Sequence, residues 1–296
     1  PGTPDPPVFP DAETATAWCS RHYEALSGAV EIAAAFGRPD IAPRIAVELM
    51  AYAITDVSRD WGSCLEHALR VAQDHGDTRA EAWVRHRMGV FHGLWQRTAE
   101  CLSFLESALA LHQATDDRLG ESLALRNLSS GYNLARQYEL ALAYGQRALD
   151  HFAESPQTDL NHPERGVLLV ISHALLELGR YEQAANHLKH ALTLFDPDAD
   201  LSNRSFCLTT LGAAYQGLGR FDEAVTAIEE AVELSLRANN EHRRADCLHT
   251  LGRVYHHFGH TARARDYWQQ AMAIFKELEF APGADQVAAD LAALDG

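Results

Sequence analysis

Four histidines crowd one short stretch, His249, His256, His257 and His260. Imidazole is the commonest metal-ligating side chain, and His256 and His260, four residues apart, would share one helix edge. A zinc site needs four ligands, or three and an open position. Gly259 is expected to end the helix before His260, and no Asp or Glu nearby in the chain completes a set. No metal is therefore expected; the histidines read as solvated or groove-lining. The sequence holds no phosphate-cradling glycine loop, no Gly-x-Ser-x-Gly elbow and no Cys-x-x-Cys pair, the usual short signatures of phosphate, acyl-transfer and thiol chemistry. No catalytic residue and no cofactor are expected. Cys207 and Cys247 are one repeat apart and Cys101 stands where other repeats carry alanine, so cysteine acts here as a small hydrophobe in a reducing, cytoplasmic setting.

The elements that would position such residues are announced by repetition. Leu211 to Ala231 reads LGAAYQGLGRFDEAVTAIEEA, and Leu251 to Ala271 reads LGRVYHHFGHTARARDYWQQA. Leu, Gly, Tyr, an apolar residue, Gly, Ala and Ala return in register. Leu211, Tyr215 and Leu218 stack on one helix face, and Gly212 lets a second helix approach closely. Gly219 suits a left-handed helix end. The next helix carries Phe221, Ala224, Val225, Ile228, Ala231 and Val232 at three- and four-residue spacing. Earlier sets are Ser172/Ala184/Ala191, Ser129/Ala141/Ala148, Gly89/Cys101/Ala108 and the degraded Leu49/Trp61/Ala68. The final alanines 68, 108, 148, 191, 231 and 271 step by 40, 40, 43, 40 and 40. The extra three residues fall in the proline-bearing segment 154–165, expected to bend or move. Asp77, Asp117, Asp200 and Asn240 keep phase between hairpins, as helix caps would.

This pattern predicts an all-α fold, an α-solenoid of about six helix-turn-helix repeats in a right-handed superhelix, with capping helices at both ends. A proline-rich linker is expected over 1–10 and an amino-terminal capping helix over 11–38. That cap reads as one long helix, Asp11 to Phe36, with Trp18, His22, Leu26 (or Ala25), Ala29, Ile32 and Phe36 at three- and four-residue spacing. Six hairpins span 39–281, and a second cap spans 282–296. Five of the first ten residues are proline, which suggests a fragment joined to an upstream part, or a processed full protein.

A small residue, then Ala twelve and nineteen positions later, with Leu-Gly before and Tyr after, resembles the tetratricopeptide repeat. The longer unit, in lines such as LRNLSSGYNLARQYELALAYGQRAL, resembles the carboxy-terminal repeats of actinobacterial antibiotic regulatory proteins and related NB-ARC-type transcription regulators. The first resemblance implies a concave groove lined by each first helix around the small position. Carried over, the groove residues are Trp83, His86 and Val90; Arg126, Ser130 and Asn133; Leu169, His173 and Leu176; Thr209, Ala213 and Gln216; His249, Arg253 and His256. Arginine, histidine, amides and hydroxyls, with no acid among them, suit an anionic partner or a peptide carboxylate.

The 296 residues carry 41 acids against 25 bases, net −16, which repels phosphate and disfavours direct nucleic acid contact. No apolar run reaches the length of a membrane span. The expected role is non-enzymatic protein or peptide binding, as the sensor or assembly module of a cytoplasmic bacterial regulator whose upstream domains are also its partners. The alternatives are a free-standing scaffold joining two proteins, or a small-molecule module using the histidine and arginine groove.

Overall fold

In the computed structural model, residues 12–53, 61–154 and 163–294 are described, and all regular structure among them is helical. They divide into two compact units between Ala135 and Arg136. The first holds α1 (Ala12–Arg21), α2 (Tyr23–Ala35), α3 (Ala42–Ala53), α4 (Trp61–Asp74), α5 (Thr78–Leu94), α6 (Thr98–Ala114) and α7 (Arg118–Leu134). The second holds α8 (Tyr138–Glu154), α9 (Glu164–Glu177), α10 (Tyr181–Leu194), α11 (Leu201–Gly217), α12 (Phe221–Arg237), α13 (Glu241–His257), α14 (Thr261–Glu277) and α15 (Ala281–Ala292). The linker over 1–10 and most of the 154–165 segment lie outside the described residues.

Hairpins form because each helix has one apolar stripe and a short turn folds it onto its neighbour. The pairs α3/α4, α5/α6, α9/α10, α11/α12 and α13/α14 pack in this way, and each packs onto the next helix within its unit. All six final alanines, at 68, 108, 148, 191, 231 and 271, are 0 % exposed. Opposite them the glycines leave room for a large side chain. A Cβ on Gly212 would run into Ile228 and stand 3.2 Å from the Ala224 carbonyl oxygen, and one on Gly252 would strike the Trp268 indole.

Turns close with the amide two residues past the helix bonding back to the last turn, the Schellman arrangement. Gly219 takes φ +73, and the Arg220 amide donates to the Tyr215 oxygen at 2.9 Å. The same motif closes α5, α6, α12 and α14 on residues that are not glycine, Gln96, Asp116, Asn239 and Glu279, at φ 50 to 54. The caps read from sequence are uneven in use. Asp77, Asp117 and Asn240 accept from the amides of Ala80, Gly120 and Arg243. Asp200 instead holds Arg165 at 2.8 Å and the Asp196 amide at 3.0 Å.

The amino-terminal region departs from one continuous helix. His22 breaks it at φ −105, ψ 14; its ring stacks on Trp18 at 4.3 Å and donates to the Trp18 oxygen at 2.8 Å. The buried face of α2 is then Tyr23, Val30, Ala33 and Ala34 against Trp61 and Met50, while Ile32 and Phe36 are 58 % and 81 % exposed. At the other end α15 packs on α14 through the fully buried Val287.

Replacing Gly212 by Leu should cost about 1–3 kcal/mol from overpacking, whereas exposed Glu229→Ala should change stability by under about 0.5 kcal/mol; parallel thermal melts check this, and equal melting would refute the close contact. Glu279→Gly should raise the melting temperature. Relief of a left-handed side chain, about 1–2 kcal/mol, exceeds the entropy that glycine adds to the unfolded chain, about 0.5–1 kcal/mol.

Candidate functional site

In the first unit three first helices, α3, α5 and α7, open a cavity of about 510 Å³. Pro43, Val47, Ala80, Trp83, Leu119 and Leu123 give it apolar walls, and Arg44, Arg79 and Arg87 stand beside Asp40, Glu48 and Asp77. The residues recur in repeat register, Pro43, Trp83 and Leu123, then Val47 and Arg87, because each first helix presents the same stripe. Two of the acids are already engaged. Asp40 takes Arg38 through both oxygens, and Asp77 caps α5.

Beneath the cavity lies a polar cluster. Trp83 Nε1 donates to Asp117 Oδ2 at 2.8 Å, and His112 Nδ1 donates to the same oxygen at 3.2 Å. Asn127 donates through Nδ2 to His86 Nε2 at 2.7 Å, while its Oδ1 accepts from Arg126 Nε at 3.3 Å. His86 stacks on Trp83 at 5.6 Å and meets His112 edge-on at 5.9 Å. His86 is 1 % exposed, so it is an interior group and its ring does not line a surface. Burial, with the charges of Arg87, His112 and Arg126, pushes its pKa down to about 3. Burial also lowers His112, against the pull of Asp117.

The remaining sequence-derived positions are scattered in character. Trp83 lines the cavity. Arg126 and Asn133 are half-buried and Ser130 is exposed. In the second unit His173, Arg253 and His256 are exposed, and Gln216 is half-buried. Thr209 turns inward, donating to the Ser205 oxygen at 2.8 Å and touching Cys247 Sγ at 3.1 Å. His249 donates through Nε2 to Asp290 of α15 at 2.6 Å, an acid forty-one residues away that no local reading of the chain would supply. The four-histidine stretch does not converge: among the described residues no group of three His, Cys, Asp or Glu could hold a metal. No helix among them is long and apolar enough to cross a membrane.

Sequence reasoning missed Arg87 and the apolar walls at Leu119 and Leu123. Arg87 stands two residues before Gly89, one position off the register expected for the groove; Leu123 stands six before Ser129, the place Trp83 holds before Gly89, and Leu119 lies one helical turn earlier.

His86 is neutral when folded and has the ordinary value near 6.5 when unfolded. Between about pH 6.5 and 3 the unfolded chain therefore holds a proton that the folded chain lacks, and stability falls as pH is lowered through that window, by at most about 1.4 kcal/mol per pH unit. His86→Gln keeps an acceptor for Asn127 and removes the titration. Melts from pH 7 to 4.5 should be flatter for the variant; an unchanged acid slope would exclude His86 as its source.

Residues 204–277 and 166–196 each match a tetratricopeptide repeat model. Among curated proteins none matches the sequence. Among solved structures, the chain is similar to the apo form of the quorum sensor NprR from B. thuringiensis, at 17% identity and TM-score 0.66 over 93% of this chain and 76% of that one. It is also similar to aspartyl phosphate phosphatase F from Bacillus subtilis, at 11% and 0.65 over 96% and 80%. A signal transduction ATPase with numerous domains and a tetratricopeptide repeat sensor, from Pyrococcus horikoshii, matches at 17% and 0.63, with 92% of this chain covering 44% of that one. At such identities these likenesses speak for the fold. The chain is an all-α helical-repeat protein that carries tetratricopeptide repeats at residues 166–196 and 204–277.

Proposed function

We propose that this chain is a non-enzymatic protein- or peptide-binding repeat module, the sensor or assembly part of a cytoplasmic bacterial transcription regulator of the antibiotic-regulator type. The observation that carries the reading is the open cavity built by three successive first helices, with Trp83 and Leu123 at matching repeat positions. A row of equivalent positions is what an extended polypeptide needs, because its side chains also recur. The neighbours support the role by their descriptions: one is a quorum sensor, one carries a tetratricopeptide repeat sensor, and one is a Rap protein complexed with competence and sporulation factor.

In the second unit, His173, Gln216, Arg253 and His256 are the groove residues of this reading, and Arg253 would pair an acidic side chain or a terminal carboxylate. Thr209 and His249 would act by holding that surface in place, since both are tied into packing. The net charge of −16 leaves DNA contact to other domains of the regulator.

A peptide array probed with the full chain tests the reading. Leu119 is 50 % exposed on the cavity wall, so Leu119→Asp should abolish capture without lowering the melting temperature. Peptides retained equally by that variant would move binding off the cavity, and an array without specific capture would refute the peptide-binding role.

A further inference from the structure

Three arginines and three acids line the first-unit cavity, yet the Arg87 guanidinium closes on none of those acids. Arg87 lines the cavity with its Nε buried and without a hydrogen-bond partner. Burial, with the nearby charge of Arg87, depresses the pKa of Arg126, and its Nε donates to a neutral acceptor, Asn127 Oδ1, at 3.3 Å. Among the described residues neither guanidinium has a carboxylate within ion-pair distance. Glu48 is the acid whose field reaches Arg87, and it lines the same cavity without closing on it. Two half-buried like charges held together without an anion are costly, and His86 beside them stays neutral and so adds no third positive charge. The cost is recovered when an anion enters. The volume of about 510 Å³ is that of a small-molecule site, and apolar walls with a few convergent polar groups are what such sites present.

We infer that the cavity of α3, α5 and α7 is a binding site for a small apolar carboxylic acid, its carboxylate on the guanidinium of Arg87 next to Arg126 and its hydrocarbon body against Trp83, Val47, Leu119 and Leu123. The planar fork of arginine matches a carboxylate, and the apolar walls select against inorganic phosphate or sulfate, which have no body to bury. Glu48 is the built-in competitor: it repels the incoming carboxylate and shares the Arg87 field. The assignment shares its cavity with the polypeptide reading but turns on Arg87, so the two can hold or fail separately.

The experiment titrates octanoate, octanol and octylamine into the full chain, following calorimetric heat and tryptophan fluorescence, with Trp83→Phe identifying the share of the signal that Trp83 gives. Octanoate should bind at least about ten-fold tighter than octanol, the scale of one charge-assisted pair, and octylamine should not bind. Arg87→Gln should lose that ten-fold preference while keeping octanol affinity. Glu48→Gln should tighten octanoate, so the proposal stays testable even where Arg87→Gln folds poorly. Equal affinity for octanoate and octanol, or no effect of either substitution on the preference, would overturn it. A leucine-ending tetrapeptide that outcompetes octanoate in an Arg87-dependent manner would overturn the small-acid assignment and give the cavity to a polypeptide end. Failure of the peptide array with octanoate binding intact would leave this site standing and remove only the polypeptide role.

Discussion

Everything in this fold depends on how closely the two helices of a hairpin approach. At Gly89, Gly212 and Gly252 there is no room for a Cβ, because Leu105, Ile228 and Trp268 occupy that volume. The missing side chain on one helix is filled by a large one on the other, so the three contacts tolerate very different partners at one spacing. Trp268 shows the condition attached to the larger choices. Its indole N–H is buried with the ring and must find an acceptor, which it does in the His249 oxygen at 3.0 Å. Ser172 obeys the same rule in α9, its hydroxyl donating to the Leu168 oxygen at 2.6 Å.

Close packing of this kind leaves interiors dry, and dry interiors make polar groups expensive. The second unit meets the cost with short hydroxyl and thiol contacts, such as Ser205 with the Ala231 oxygen and with Ser235. The first unit carries a different inventory beneath α5 and α7, two histidines, an aspartate, an asparagine and a tryptophan. That cluster fixes the Trp83 ring from below while its other side meets the cavity, so the wall of the cavity is positioned by groups that never reach it.

The repeat frame was legible in the sequence because buried alanines and close-contact glycines have few substitutes, and their spacing survives intact. The hidden features are those where many residue types serve. Left-handed helix ends at Gln96, Asp116, Asn239 and Glu279 carry no residue signature, since the closing backbone bond holds whatever stands there. The surface register was legible only to within one residue: His86 and Arg87 are neighbours in sequence, yet one is interior and the other lines the cavity. Helical period alone cannot separate positions 100° apart on a stripe of similar width. The break at His22 was invisible for another reason, since it follows from a ring that stacks on Trp18 and bonds its carbonyl.

In the second unit each hairpin meets its immediate neighbours along the chain and little beyond them. A body built in that way has no central keystone. Drawn out by its ends, it would surrender one hairpin at a time, each release freeing a contour of about 130–140 Å for a forty-residue unit. The unit is thus graded as an elastic element, able to yield at one end while the rest keeps its shape, and a load arriving through the chain would be absorbed as discrete extensions before any deep loss of structure.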